Sequence, residues 1–172
     1  MFRLLRRVRR LALLALVLIV AVKFGPALLE DRERQVFEGV PRILDGDTVQ
    51  IGETRIRLHG IDAPEEDQLC TQPSGATWPC GVEATHALAR RINSSSIRCR
   101  QFDTDRWDRA ISVCYLGRDD LNAWMVSEGW AVAYRQYSDD YLLEEQDARA
   151  AGRGIWSGTF EMPWDHRRAQ GV

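Results

Sequence analysis

Asp45-Gly-Asp-Thr-Val-Gln-Ile-Gly-Glu-Thr-Arg-Ile-Arg-Leu-His-Gly-Ile-Asp62 is the stretch that decides the fold. Asp45-Gly46-Asp47 reads as a turn, because glycine permits a tight reversal and aspartate bonds its own following backbone. Thr48 to Ile51 then runs as a strand until Gly52-Glu53 reverses it. From Thr54 to His59, Ile56 and Leu58 alternate with Arg55, Arg57 and His59, the period-two pattern of a half-buried strand. Upstream, Gln35 to Leu44 alternates enough to supply a further strand, so this region predicts a three-stranded meander.

Downstream, Glu66 to Pro79 holds prolines, Gly75 and two cysteines and reads as a loop that Cys70 and Cys80 could staple. Helical spacing returns from Gly81 to Ile92 and ends at Asn93-Ser-Ser-Ser96. Ile97–Phe102 and Ala110–Leu116 flank the polar turn Asp103–Arg109. Cys99 and Cys114 lie symmetrically about its centre and should face each other. Such a bridge stabilises by about 3 kcal/mol on the chain-entropy model.

Asp120 to Gly129 and Tyr141 to Ala151 read as two more helices, and residues 159–172 as an aromatic-anchored tail. The expected class is α+β, mainly β: a five-stranded barrel of the oligonucleotide-binding (OB) kind with about three helices.

The N-terminus differs in character. Residues 1–10 contain five arginines and no acid, and Leu11 to Leu29 is almost wholly apolar. That asymmetry predicts a transmembrane helix at 11–29 with the N-terminus in the cytoplasm. Residues 30–38 would be a linker and 39–158 the folded domain, held outside the inner membrane, in the periplasm. Cleavage of the segment as a signal peptide, releasing a secreted domain, is the alternative. Four cysteines with no Cys-x-x-Cys pair fit disulfides in an oxidising compartment better than a zinc site.

Everything after the apolar segment carries 17 arginines against 25 acidic residues, close to −8. A broad basic surface for long nucleic acid is thereby excluded, so any such substrate must be held by local residues.

Local residues do point to phosphate chemistry. Asp45-Gly-Asp-Thr48 offers two carboxylates. It is not an EF-hand loop, since Gln50 stands where that loop needs glycine. Arg57-Leu-His-Gly-Ile-Asp-Ala-Pro-Glu65 then pins a cation beside two acids, with Pro64 stiffening the backbone between them. Phosphodiester hydrolysis needs a hard divalent cation, a base for the attacking water and cationic forks for the developing charge. Arginine suits the fork because its planar guanidinium takes two oxygens and stays protonated.

These motifs, followed by Asp105-Arg-Trp-Asp-Arg109, Asp120-Leu-Asn122, Val126-Ser-Glu-Gly-Trp-Ala131, Tyr134, Glu145 and Gly154-Ile-Trp156, resemble the staphylococcal nuclease family over residues 40–156. The resemblance implies an OB barrel that cleaves DNA and RNA. It implies calcium ligands at Asp47, Asp62 and the carbonyl of Ala63, with Mg2+ as second choice. It also makes Glu65 the general base, Arg57 and Arg109 the phosphate clamps, and Tyr134 a stacking residue near the nucleotide.

Where the family has Tyr-Gly before its second arginine, Trp107-Asp108 stand here and set a carboxylate beside Arg109. Asp45 is read as a turn former, and His59, His86 and His166 as ordinary histidines. The rival reading is a non-catalytic nucleic-acid or protein-binding module on the same barrel.

Overall fold

A computed structural model describes residues 34–171. The proposed membrane segment at 11–29 lies outside them. Among the described residues no helix is long and apolar enough to cross a membrane.

The predicted first strand is two. β1 (Val36–Gly39) pairs with β8 (Ile97–Thr104), whereas β2 (Arg42–Ile43) pairs with β3 (Thr48–Ile51). Val40 and Pro41 separate them, and proline has no N–H to give to a ladder. The chain therefore crosses from one end of the sheet to the other.

β3 pairs with β4 (Thr54–Leu58) through the two-residue turn at Gly52-Glu53, where Gly52 takes φ +58°. β4 pairs in parallel with β9 (Ala110–Leu116), which pairs antiparallel with β8. The path is β1-β8-β9-β4-β3-β2, with β10 (Asp119–Asp120) also on β9. The sheet curls until its ends approach, for a Cβ on Gly39 would stand 3.1 Å from Ile51.

Inside the curl lie Val49, Ile56, Leu58, Ile61, Leu88, Ile97, Leu121, Met125 and Val126, all buried. Ile56 and Leu58 point inward while Arg55 and Arg57 do not, as the alternation predicts. α1 (Cys80–Ile92) packs Ala84 and Leu88 into this core, and Asn93 ends it in the left-handed conformation. α2 (Leu121–Ser127) is capped by the Asp120 carboxylate, which accepts from the Ala123 amide at 3.0 Å. Buried Asn122 donates to the carbonyls of His59 and Ser112 and accepts from the Cys114 amide. It thus pins the end of β4 against β9.

Three further details depart from expectation. The loop at 66–79 contains a small hairpin, β6 (Cys70–Thr71) on β7 (Thr77–Trp78). Among the described residues there are four α-helices rather than three: α3 spans Leu142–Ala150, and the expected tail folds as α4 (Pro163–Gln170) after a 3-10 turn at Gly154–Ser157. Pro163 at the first helical position and Gly171 in the left-handed conformation after the last turn set the bounds of α4.

Both disulfides form as the spacing suggests. Cys99 and Cys114 are direct cross-strand partners, and Cys70 joins β6 to the first residue of α1. Serine at both Cys99 and Cys114 is expected to lower stability by about 3 kcal/mol. Urea unfolding would measure it, and an unchanged midpoint would show that the hairpin gains nothing from its staple.

Candidate active site

The register of β3 on β4 places Thr48 opposite Arg57, so Asp47 meets the arginine at the mouth of the curl. Arg57 extends one Nη to Asp47 Oδ1 and the other to Asp62 Oδ1 at 2.6 Å. Both carboxylates are buried. Asp47 Oδ2 accepts the amide of Ala63 at 2.7 Å, which fixes the backbone of Ala63 beside the same pair. Charges buried to this degree are tolerated because each is paired and hydrogen-bonded.

Asp62 lies on β5 (Ile61–Asp62), paired with β11 (Val132–Ala133). The ladder continues into Tyr134, whose amide donates to the carbonyl of Gly60 at 2.9 Å. Buried Glu145 on α3 accepts the Ala133 amide and binds Arg135, holding β11 in place. Tyr134 is thereby set beside Asp62. Partial burial and then the charge of Asp62 push its phenol above the ordinary tyrosine range.

Glu65 follows Pro64 at the start of a tight backbone segment. Its amide donates to the Gln68 side chain at 3.2 Å, and its carbonyl accepts from the Gln68 amide. Gly81 of α1 packs against this carbonyl so closely that a Cβ would fall 1.6 Å from the oxygen. Only glycine allows the approach, which locks the backbone of Glu65 against α1.

Asp47, Arg57, Asp62, Ala63, Glu65 and Tyr134 are thus brought together. Arg109 is held separately, at the hairpin tip between β8 and β9. Its Nε donates to Asp105 at 2.7 Å, its amide donates to the same carboxylate, and its guanidinium lies 5.1 Å from the Trp107 ring centre. The carboxylate on Arg109 is therefore that of Asp105. Asp108 instead occupies the turn at φ +61°.

Asp45 links the two halves. It forms the expected turn by accepting the Asp47 amide at 2.9 Å. Burial raises its carboxyl, against the opposing charges of Arg57 and, more weakly, Arg109. The charges of both arginines are thus felt at Asp45.

Two residues absent from the sequence reading complete it, both on α4. Arg167 donates to both oxygens of Asp62, at 3.0 and 2.8 Å, and to Glu65 at 2.5 Å. Trp164 stacks on Tyr134 with ring centres 5.6 Å apart and planes 4° from parallel. The available signal was a tryptophan followed by two arginines, just after a helix-starting proline, in a strongly acidic domain. Of the histidines, His59 is buried, stacks on Phe102 and meets Asp140 at 3.1 Å; His86 is exposed on α1; His166 meets Asp67 at 3.1 Å.

Residues 55–158 match the pattern of the family described as staphylococcal nuclease homologue. The chain belongs to the staphylococcal nuclease family. That match includes Arg57, Asp62, Glu65, Arg109 and Tyr134, and it ends before α4.

Among relatives of this nuclease family, a succinoglycan biosynthesis protein of Rhizobium meliloti is 35% identical over 69% of this chain and 63% of its own length. A probable staphylococcal-like nuclease of Oryza sativa is 34% identical over 72% of this chain and 32% of its own. A micrococcal nuclease of Shigella flexneri is 35% identical over 90% and 89% respectively. The chain therefore spans less than two thirds of the first two relatives and most of the third.

Metal dependence is general in the family, and the donors fit it. Asp47, Asp62 and the Ala63 carbonyl form an all-oxygen set of the kind hard divalent cations take. Among the described residues no three acidic, histidine or cysteine side chains converge to enclose an ion. A cation here would need the carbonyl, water and substrate to fill its shell.

Proposed function

We propose that this chain is a calcium-dependent nuclease that hydrolyses phosphodiester bonds of DNA, RNA or both outside the cytoplasm. The observation that carries this reading is the ion-paired run Asp47–Arg57–Asp62 beside Glu65, four groups with the chemistry the reaction requires. The bound cation would be held by Asp47, Asp62 and the Ala63 carbonyl, and would neutralise charge on the phosphoryl oxygens.

Glu65 takes the proton from the attacking water. Its locked backbone fixes the point from which the side chain reaches the site. Arg57 has five N–H donors, of which Asp47, Asp62 and the Ile61 carbonyl engage three. The other two meet no acceptor among the described residues and would be offered to the phosphate. Arg109, with Nε committed to Asp105, offers its Nη groups. Tyr134, with Trp164 stacked on it, would form an aromatic platform for a base, a contact indifferent to base identity.

The strand order supports reading the curled sheet as a five-stranded OB barrel. With β1 and β2 as halves of one kinked strand, the order around the curl is first, second, third, fifth, fourth, first. The five arginines before residue 11 and the two disulfides support an inner-membrane anchor at 11–29 with the domain in the periplasm. Alkaline phosphatase fused after Val172 should then be active in intact cells, and an inactive fusion would reject that topology.

The function itself is tested on single-stranded DNA. Chelation of calcium should reduce cleavage at least about 100-fold. Re-addition of calcium should restore cleavage fully, and magnesium less well. Undiminished cleavage in chelator would refute the metal. Binding without any cleavage would favour the non-catalytic module.

A further inference from the structure

We propose that Arg167, carried in by the C-terminal helix α4, is a positioning residue of the nuclease reaction that ties the base Glu65 to the metal-side carboxylate Asp62. The inference rests on the nuclease reading above and adds to it a residue that lies beyond the stretch matching the family.

The geometry is that of a bridge. One Nη of Arg167 contacts Glu65 Oε1 and Asp62 Oδ1, and the other contacts Asp62 Oδ2. A planar fork with fixed donor directions sets the angle between the carboxylates it joins, which a single ammonium cannot do. Among the described residues the Glu65 carboxylate has no other side-chain partner, and it is more exposed than that of Asp62, which is fully buried. Without the bridge it would sample several rotamers above the site.

The bridge also leaves chemistry possible. Each carboxylate offers about four lone-pair directions. Arg57 and Arg167 use three on Asp62, leaving one on Oδ2. The Ala63 amide uses one on Asp47 Oδ2, and Oε2 of Glu65 receives no donor among the described residues. An acceptor therefore remains on both metal-side aspartates and on the base.

α4 is built into the catalytic segment as a wall. Gln68 accepts the Glu65 amide and donates to the Glu161 carbonyl at 2.6 Å, so one buried side chain joins the base to the entry of the helix. Asp67 is held by His166 at 3.1 Å and by Gln170 at 2.8 Å. Pro163 is buried, and Trp164 and Met162 pack with Val132 and Ile155, while the Trp164 ring rests on Tyr134. Backbone, side-chain and apolar contacts all fix Arg167 relative to Glu65.

The test compares wild type, Arg167→Ala, Arg167→Lys and Glu65→Gln as full chains, with calcium and single-stranded DNA. Arg167→Ala should lower kcat about 10- to 100-fold, the scale of a misaligned catalytic group. KM should stay within about 3-fold, while the Tm should fall modestly because buried Asp62 is left with Arg57 alone. Arg167→Lys should fall between. In a metal-free urea experiment, the stability losses from Arg167→Ala and Arg57→Ala should be non-additive, since both arginines pair with the buried Asp62 carboxylate.

A wild-type kcat in Arg167→Ala, with Glu65→Gln inactive, would overturn the positioning role and leave the nuclease reading intact. A raised kcat would overturn it in favour of α4 as an inhibitory plug. A wild type that cleaves nothing would remove the nuclease reading and this inference with it.

Discussion

Glutamine at Glu65 is expected to lower kcat on single-stranded DNA by about 10²- to 10⁴-fold, the contribution typical of a positioned general base. The substitution keeps the shape of the side chain and its bond to Arg167 while removing the capacity to accept a proton. Because Glu65 is partly exposed and its backbone is fixed by Gln68 and by the contact at Gly81, the fold should be unaffected. KM and Tm should therefore stay near wild type. Retention of more than a tenth of wild-type kcat would place the base elsewhere.

Alanine at Arg57 should damage both stability and rate, which distinguishes it from Glu65. Its side chain is 17% exposed and pairs with carboxylates that are 3% and 0% exposed. Removing one partner of a buried pair costs about 3–5 kcal/mol when the other is left alone. Here Asp62 retains Arg167 and Asp47 retains the Ala63 amide, so the expected loss is about 2–3 kcal/mol, at or below the lower end of that range. Loss of a donor to the developing phosphorane should lower kcat a further 10²- to 10³-fold or so. Arg57→Lys keeps the charge but cannot reach both aspartates, so it should recover stability more than rate. A lysine variant equal to wild type in both would refute the bidentate role.

The parts of the site legible in sequence are those whose partners lie close along the chain. Asp47, Arg57, Asp62 and Glu65 fall within one hairpin and its exit, where period-two alternation decides which side chains share a face. Arg109 was legible as a residue and not as a geometry. Asp105 and Asp108 are both near enough to pair with it, and the left-handed turn at Asp108 selects the first.

The division of the first strand was hidden because alternation continues through Val40 and Pro41, and only the closing curl forces the chain to change edges. Arg167 was out of reach for a different reason. It stands 105 residues from Asp62, on a short polar helix whose pattern announces no buried face.

The parallel pairing of β4 with β9 sets an order on how the molecule assembles. The β3–β4 and β8–β9 hairpins close short loops, but Ile56 can find Ala110 only after a 54-residue segment has been brought round. Closure entropy rises with that length, and contacts of such sequence separation form late. The contact of α4 with Asp62 spans nearly twice as far. By loop length alone, the two aspartates and Arg57 come within reach of one another first as a charged mouth, and the contact that completes it closes the longer loop.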